Sequence, residues 1–513
     1  MPDITNTTTI DPANKHLLYD TFSPAWQAQM NFAEMHEHIL RDGTYLDEFG
    51  KDSEVREKAG QYTWRKQQSF AMDYCADLID LRIGNLFRTP PVRHYDDSPF
   101  KDFIDQFIAD VDNGGTPIDD FMAEAVRKHY TLGVDLVCDS EAAPDDALVI
   151  NRAQERELGL RPYWSMFTPL ERMYWDCNHA GYYNWVRYDL GTQPTARPED
   201  GSSTVHQYIE YLPGEWRLYT VAGGTSGKKT ITVERGGNAI GRMPVVPFYW
   251  RRSMRAEYRG IPISLLTRVA PIARTMLNLV SQGQIDLYLA IGILLATGVE
   301  PTELPEALSP MCFVAFRNAD ASITHVSPNV ENIVEKREWL MMMAEAILRM
   351  GKVIGATGDV KGRATSGFQV QAERTDLDNE MATTAGQLER VETQMMALAI
   401  SRNQGKWISP SDIGYSVDYN RKYVLTPLND ILDQAKKAFD LNIEDSTPDL
   451  LRVFLRRALD SAIKPTDPRY VEIADQIENA DLSLVGASSM PKGLFADKTA
   501  QDDSGGGNEK DQG

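Results

Sequence analysis

The segment VQAERTDLDNEMATTAGQLERVETQMMALAIS (370–401) decides how the chain is read. Val370, Leu377, Met381, Leu388, Val391, Met395 and Leu398 recur at helical spacing, and no proline interrupts them. At a rise of about 1.5 Å per residue they define one helix about 50 Å long. Immediately before it, GATGDVKGRATSG (355–367) is too rich in glycine to be anything but a loop. Further upstream, Val330 to Met350 reads as a helix with Ile333, Leu340, Ala344 and Ile347 on one face. A second candidate helix spans Ile263 to Ala290. Between the two lies an insert, Glu300 to Pro328, with Pro301, Pro305 and Pro310 and a strand-like run from Met311 to Phe316.

Working toward the N-terminus, the period changes. From about Leu136 to Trp250 it falls from near 3.6 to 2, and residues 182–188, 205–211, 216–221 and 229–234 read as strands separated by Pro213-Gly214 and Gly236-Gly237. That is a mostly antiparallel β region. Ahead of it the helical period returns. Helices are expected from Pro24 to Arg41, from about Asp52 to Phe87 with room for a break, from Pro99 to Val111 with Ser98 as N-cap, and from Ile118 to Leu132. Residues 1–22 read as loose. Past the long helix, Lys406 to Tyr423 reads as a strand pair, 425–480 as three helices and 481–513 as a disordered tail. The fold class is α+β.

Composition bounds what such a chain does. It has 513 residues, 42% hydrophobic and 25% charged, with Asp plus Glu at 74 against Lys plus Arg at 53 for a net charge of −21. Those values exclude collagen-like, disulfide-scaffold and wholly disordered classes, and they argue against gripping nucleic acid by bulk positive charge. Cys75, Cys138, Cys177 and Cys312 are far apart and form no CxxC pair, so buried thiols are expected rather than a zinc ribbon. No secretory signal is read in MPDITNTTTIDPANK. The apolar run Leu287 to Val299 is too short for a membrane span.

Motif by motif, catalytic chemistry finds no footing. AGGTSGKKT (222–230) has Ala222 where a phosphate loop needs glycine and Lys229 where it needs Ser or Thr, and it joins two strands. Asp110, Asp112 and Gly115 begin like a calcium loop, but Gly114 and Phe121 stand where ligands are required. His36 and His38 lie two apart, on different helix faces. No nucleophile elbow is found. No cofactor, no metal site and no enzymatic activity are therefore expected. A basic run, Arg251, Arg252, Arg255 and Arg259, is read mainly as ion-paired, within the chain or to a neighbouring subunit, with phosphate contact as the alternative.

The order of these parts, together with several stretches, resembles the portal proteins of tailed bacteriophages. The stretches are GTYLDEF (43–49), GQYTWRKQQSFAMDYCADLIDLRIGNLFRTPP (60–91), DVDNGGTPIDDFMAEAVRKHYTLGVDLV (110–137), RPYWSMFTPLERMYWD (161–176), PISLLTRVAPIARTMLNLVSQGQIDLYLAIGILLATGV (262–299) and residues 355–402. The likeness runs from about 20 to 480.

The resemblance implies a flexible N-terminus (1–22), a helical and β wing (23–260), a first stem helix (261–294), a clip (295–329), a second stem helix (330–352), a tunnel loop (353–368), a long wing helix with a β segment (369–424), a helical crown (425–480) and the tail. It also implies a homo-oligomeric ring of about twelve subunits at one capsid vertex of the virion, assembled in the host cytoplasm. Double-stranded DNA would pass through the ring during packaging and ejection. Its partners would be the terminase large subunit, adaptor and tail proteins, and the major capsid and scaffolding proteins, with no membrane.

In that scheme Lys361 and Arg363, freed by Gly358 and Gly362, would touch DNA. Glu300, Glu303, Glu306, Arg317 and His325 of the clip would dock terminase or adaptor. Asn278, Ser281, Gln282 and Gln284, with Gly283 and Gly292, would seal stem to stem, and Met341, Met342 and Met343 would fill core and interface. The acidic excess would help repel DNA from the channel wall. The rival readings are another head–tail connector component and an enzyme with an unrecognised site.

Overall fold

A computed structural model describes residues 11–34, 40, 44–48, 59–140, 161–194, 204–223, 229–289, 293–297, 322–326, 330–352, 367–421, 452–453, 455–456, 459 and 468–479. The fold is α+β, and it divides into two units, Met1–Tyr423 and Val424–Gly513.

The first unit opens with three helices, α1 (Tyr19–Ala33), α2 (Ala59–Gln68) and α3 (Tyr74–Leu86). α1 starts five residues ahead of the expected Pro24. A proline in the second turn removes one backbone donor, and burial of Tyr19, whose hydroxyl donates to the Leu170 carbonyl at 2.7 Å, anchors the turn before it. Residues 11–18, expected to be loose, pack on the β region: the His16 ring stacks on Trp175 at 4.1 Å, and the His16 N–H donates to the Met173 carbonyl at 2.9 Å. The break allowed for in the second expected helix falls at residues 69–73, which places Phe70 outside any helix and leaves it 44% exposed.

A short strand β1 (Val92–His94) leads to α4 (Lys101–Ala109) and α5 (Ile118–Thr131). α4 begins later than Pro99. The Ser98 hydroxyl accepts from the Phe100 N–H at 3.2 Å but donates to the Ile413 carbonyl at 2.6 Å, so it serves a long-range tie as well as the helix entrance. In the turn between α4 and α5, Asn113 and Gly115 both have positive φ, and the Asp112 carboxylate accepts from the Gly114 N–H at 2.8 Å.

The β region matches the period-2 reading. A three-stranded sheet has the order β3–β2–β9, with β2 at Val134–Ser140, β3 at Pro162–Phe167 and β9 at Val245–Phe248. A five-stranded meander runs β4 (Arg172–Cys177), β5 (Tyr183–Pro194), β6 (Thr204–Tyr211), β7 (Glu215–Gly223) and β8 (Lys229–Gly237). Every pair is antiparallel. The glycine- and lysine-containing segment after Ala222 joins β7 to β8 across the closing pair Gly223 and Lys229, a strand-to-strand connection.

After a two-residue ribbon, β10 (Arg251–Arg252) with β11 (Pro262–Ile263), come α6 (Leu266–Leu289), a hairpin of β12 (Ile293–Thr297) and β13 (Ser322–Val326), α7 (Val330–Met350) and α8 (Gly367–Gln404). α6 covers most of the helix expected over Ile263 to Ala290, while the extension to 294 that the resemblance implied does not hold, since Ile293 and Leu294 lie in a strand. From Ile293 the chain is a strand, because its β-branched residues pair with β13, Ile293 opposite Val326 and Thr297 opposite Ser322. Of the expected pair of strands over 406–423, the described residues, which end at 421, hold one strand, β14 (Ser416–Asp418), which pairs with β1 more than 300 residues earlier in sequence instead of with a local partner.

α8 is the spine of the unit. Leu377, Met381, Leu388, Val391, Met395 and Leu398 are all buried in one core with α3, α4, α5 and parts of β2 and β9. In the second unit, α9 (Pro468–Asn479) buries Ala474, and Arg456 pairs with Glu478 at 3.0 Å. Residues 452–453, 455–456 and 459 are also helical, and the remainder of the three-helix expectation, with the tail, lies outside the described residues. Cys75 and Cys138 are buried and unpaired, with burial pushing both thiols up to about 12, while Cys177 is half-buried and raised to about 11.

One core residue gives the protein an acid-sensitive element. His129 on α5 is completely buried, stacked on Phe248 at 3.9 Å, and burial pushes its pKa down to about 3. The unfolded imidazole titrates at its ordinary 6.5. Between those values the unfolded chain binds a proton that the folded chain refuses. The associated stability is therefore complete above pH 6.5 and is lost as the pH falls toward 3, by at most roughly 5 kcal/mol. His129→Leu should flatten the acid limb of the urea midpoint across that window. An unchanged slope contradicts this assignment.

Candidate functional site

The parts that carry the functional expectation are α6, the β12–β13 hairpin, α7 and the arginine-bearing segment before them. α6 leads out to β12, β13 leads back to α7, and the two helices pack against each other.

α6 is fastened along much of its length. At its start, the Ser264 hydroxyl meets Gln29 of α1 at 2.8 Å. Midway, Arg274 pairs with Asp47 at 2.7 Å, and the Asn278 amide accepts from the Asp47 N–H at 2.7 Å and donates to the Tyr45 carbonyl at 3.0 Å. Ser281 accepts from the buried Arg65 guanidinium at 2.9 Å. Asn278 and Ser281 were expected to seal one subunit to the next. Both are instead buried against residues of their own chain, since polar groups facing the core must find partners there. Gly283 is not needed for a close approach within the chain either, as nothing lies within 4 Å of a Cβ added there. The methionine triplet is graded across the face of α7: Met343 packs against the core, while Met342 is 51% exposed. Trp339 and Val334 are exposed beside it. α6 and α7 together carry five acidic and five basic residues, so the −21 of the chain resides elsewhere.

The entrance to α6 is fixed by a buried polar cluster that the sequence did not reveal. Arg172 of β4 is fully buried. Its guanidinium donates to the Tyr249 hydroxyl at 2.6 Å, to the Tyr183 hydroxyl and to the Gly260 carbonyl at 2.7 Å, and lies 3.5 Å from the Asp135 carboxylate of β2. Asp135 accepts from Tyr183 and Tyr188 at 3.0 Å each and from Tyr249. Burial works against the Arg172 charge, yet Tyr183, Tyr249 and Asp135 hold its pKa above the ordinary value, while burial pushes those of Tyr183 and Tyr188 well up. The cluster ties both sheets to the segment that begins α6. Gly260 is required there: its φ is +78°, and a Cβ would sit 2.7 Å from the Trp175 indole nitrogen.

Arg251, Arg252, Arg255 and Arg259 come together on that segment, but the expected ion pairs within the chain are absent among the described residues. Arg251 lies over Trp250 at 4.3 Å and Arg255 over Tyr258 at 5.7 Å. Arg252 lies over Tyr249 at 5.4 Å and donates to the Gly181 carbonyl at 3.1 Å. These three guanidiniums find ring faces where carboxylates were expected. Of the remaining predicted residues, His325 lies on β13 opposite Leu294. Lys361, Arg363, Gly358 and Gly362, and Glu300, Glu303, Glu306 and Arg317, lie outside the described residues, as does Gly292.

No family profile matches the chain, and no curated protein matches it. Among solved structures, it is similar to a chain of a structure described as the neck of an empty GTA particle computed with C6 symmetry, at 9% identity and a TM-score of 0.39, covering 86% of this chain and 99% of that one. A superposition that loose carries no argument, so the functional reading rests on the residues. No described helix is long and apolar enough to cross a membrane.

Proposed function

We propose that the chain is a portal-type subunit: about twelve copies form a ring at one capsid vertex through which double-stranded DNA is packaged and later ejected. The observation that supports this best is the succession of α6, a two-stranded hairpin, α7 and then the 38-residue α8, which follows the stem, clip, stem and long-helix order implied by the sequence resemblance. In this reading α6 and α7 face the DNA path, and their balanced charge suits sliding, since a wall of cations would bind phosphates. The hairpin and the insert it carries dock the terminase motor during filling and the adaptor and tail afterwards. Capsid and scaffolding proteins meet the outer part of the ring. The subunit performs no catalysis of its own.

Lys361 and Arg363 form the ring of exchangeable phosphate contacts. Reversing both, Lys361→Glu with Arg363→Glu, should leave ring assembly intact and sharply lower DNA packaged and retained per particle, read as the ratio of full to empty heads. An unchanged ratio contradicts that role. The reading as a whole is tested by the mass of the purified assembly. Twelve copies of 57.6 kDa give 12 × 57.6, about 690 kDa. A monomer or small oligomer at all concentrations, with or without scaffolding protein, argues for another class of protein.

A further inference from the structure

The segment between β10 and β11 is built as a protrusion. Its base is closed by the pairs Arg251 with Ile263 and Arg252 with Pro262, and by the Ser253 N–H donating to the Ile261 carbonyl at 3.2 Å. A 3-10 turn at Ala256–Tyr258 braces it, and Tyr258 packs edge-on against Phe22 of α1 at 5.6 Å. On this rigid base Met254 is 99% exposed, an apolar side chain touching nothing of its own chain. Exposed Arg251 and Arg255 flank it, with no carboxylate partner among the described residues. The stretch 251–259 carries four arginines against one acid, Glu257, in a chain of net charge −21.

Elsewhere in the same unit lies a groove of opposite character. It is about 360 Å³ and is formed between α1, α3 and α5. Its floor is apolar: Met30, Ala33, Ala76, Ile79 and Leu132. Asp73, at the N-cap of α3, and Asp80 line its α3 edge, and exposed Asp77 lies between them in sequence at the spacing that puts all three on one helix face. The lining also carries Glu34 and Glu124 and two cations, which are engaged within the groove, Arg127 of α5 with Asp80 at 2.7 Å and Lys128 with Glu124 at 3.1 Å, whereas Asp73 and Asp77 have no ion pair among the described residues. Burial, then the neighbouring Asp77 and Asp80 carboxylates, push the Asp73 pKa up, the response of a carboxylate that lacks a cation.

We propose that these are the two halves of one contact between adjacent copies of this chain: Met254 of one subunit inserts into the α1–α3–α5 groove of the next, and Arg251 and Arg255 pair with Asp73 and Asp77. The knob is apolar with a basic surround and the socket apolar with an acidic excess, and a second copy of the chain brings both to every interface. A contact of this kind is head-to-tail. It uses different surfaces on the two partners, and repetition closes it into a ring. An exposed methionine is suited to the role because its unbranched side chain adapts to the pocket it enters. The arginines set register and orientation. The inference rests on the ring reading above and names surfaces that hold the ring together.

The test compares the assembly of the full-length chain with those of Met254→Asp, Asp77→Arg and the pair Arg255→Asp with Asp77→Arg, by native mass measurement over a concentration series. Met254 makes no contact within its own chain, so its substitution removes nothing from the fold, and circular dichroism and thermal melting should match those of the parent. The expected result is that Met254→Asp and Asp77→Arg each raise the concentration needed for half-assembly by about tenfold or more, and that the exchanged pair recovers part of that loss. Parent rings with both single variants assembling at the parent concentration overturn the knob and socket while leaving the ring standing. A parent chain that never assembles overturns the ring reading and this contact with it.

Discussion

Replacing Arg172 with methionine should cost the first unit about 3–5 kcal/mol, the largest loss expected from any single side chain here. The guanidinium is completely buried, and removing it strands the Asp135 carboxylate and the Gly260 carbonyl in the same low-dielectric space. Asp135 keeps hydrogen bonds from Tyr183, Tyr188 and Tyr249, but hydroxyls do not neutralise it. Arg172→Lys should recover only part of the loss. An ammonium keeps the charge but lacks the planar fork that reaches Tyr249 at 2.6 Å and Gly260 at 2.7 Å together. The readout is the urea midpoint of the first unfolding transition, with the lysine variant between parent and methionine. A methionine variant within about 1 kcal/mol of the parent would show that the cluster does not hold the two sheets and the entrance to α6 together.

The second large effect falls on α8. Glu392 is fully buried, and its carboxylate accepts from Arg93 at 2.7 Å, from Tyr415 at 2.5 Å and from Tyr419. Through these bonds the helix grips β1 and the segment around β14, reinforcing their strand pairing and the Ser98–Ile413 tie. Glu392→Leu leaves Arg93 with Asp119, at 2.7 Å, as its carboxylate partner among the described residues, and leaves two tyrosine hydroxyls without their acceptor. The expected loss is about 3 kcal/mol, measured as above. Protection of the amides of β1 and β14 in hydrogen exchange should fall with it. Loss of stability without loss of that protection would place the role of Glu392 elsewhere.

These two clusters also mark where sequence reading stopped. The helix over 330–350 was legible to the residue, and the buried face of α8 was read correctly at Leu377, Met381, Leu388, Val391, Met395 and Leu398, because each is a local periodic pattern. Four strands of the meander, β5 to β8, were legible for the same reason, whereas β4 was not picked out. Arg172, Asp135, Tyr183, Tyr188 and Tyr249 follow no spacing rule. They meet because the two sheets and the connection into α6 converge, which is a property of the tertiary fold. The strand at Ile293 was hidden inside an apolar run whose period suits a helix as well as a strand, and pairing with β13 decides it. The β14 pairing was hidden because its partner is β1. The acidic edge of the groove carried a signal, Asp73, Asp77 and Asp80 on one helix face, that the hydrophobic reading of the same helix overlooked.

The four arginines show a different kind of limit. Their clustering was plain in the sequence, and the expectation of ion pairs followed from the acidic composition. Which groups stand beside Arg251, Arg252 and Arg255 is set by the ribbon of β10 and β11, and those groups are Trp250, Tyr249, Tyr182 and Tyr258. Guanidiniums held over aromatic faces keep their N–H groups available, which is why the segment reads as a contact surface.

The central claim, that this chain assembles as a ring about a DNA path, is tested most directly by negative-stain electron microscopy of the purified full-length protein, with class averages viewed end-on. The account predicts rings of about twelve subunits with an open centre wide enough for a DNA duplex. Compact particles without a central opening, persisting at high concentration and in the presence of scaffolding protein, would contradict it.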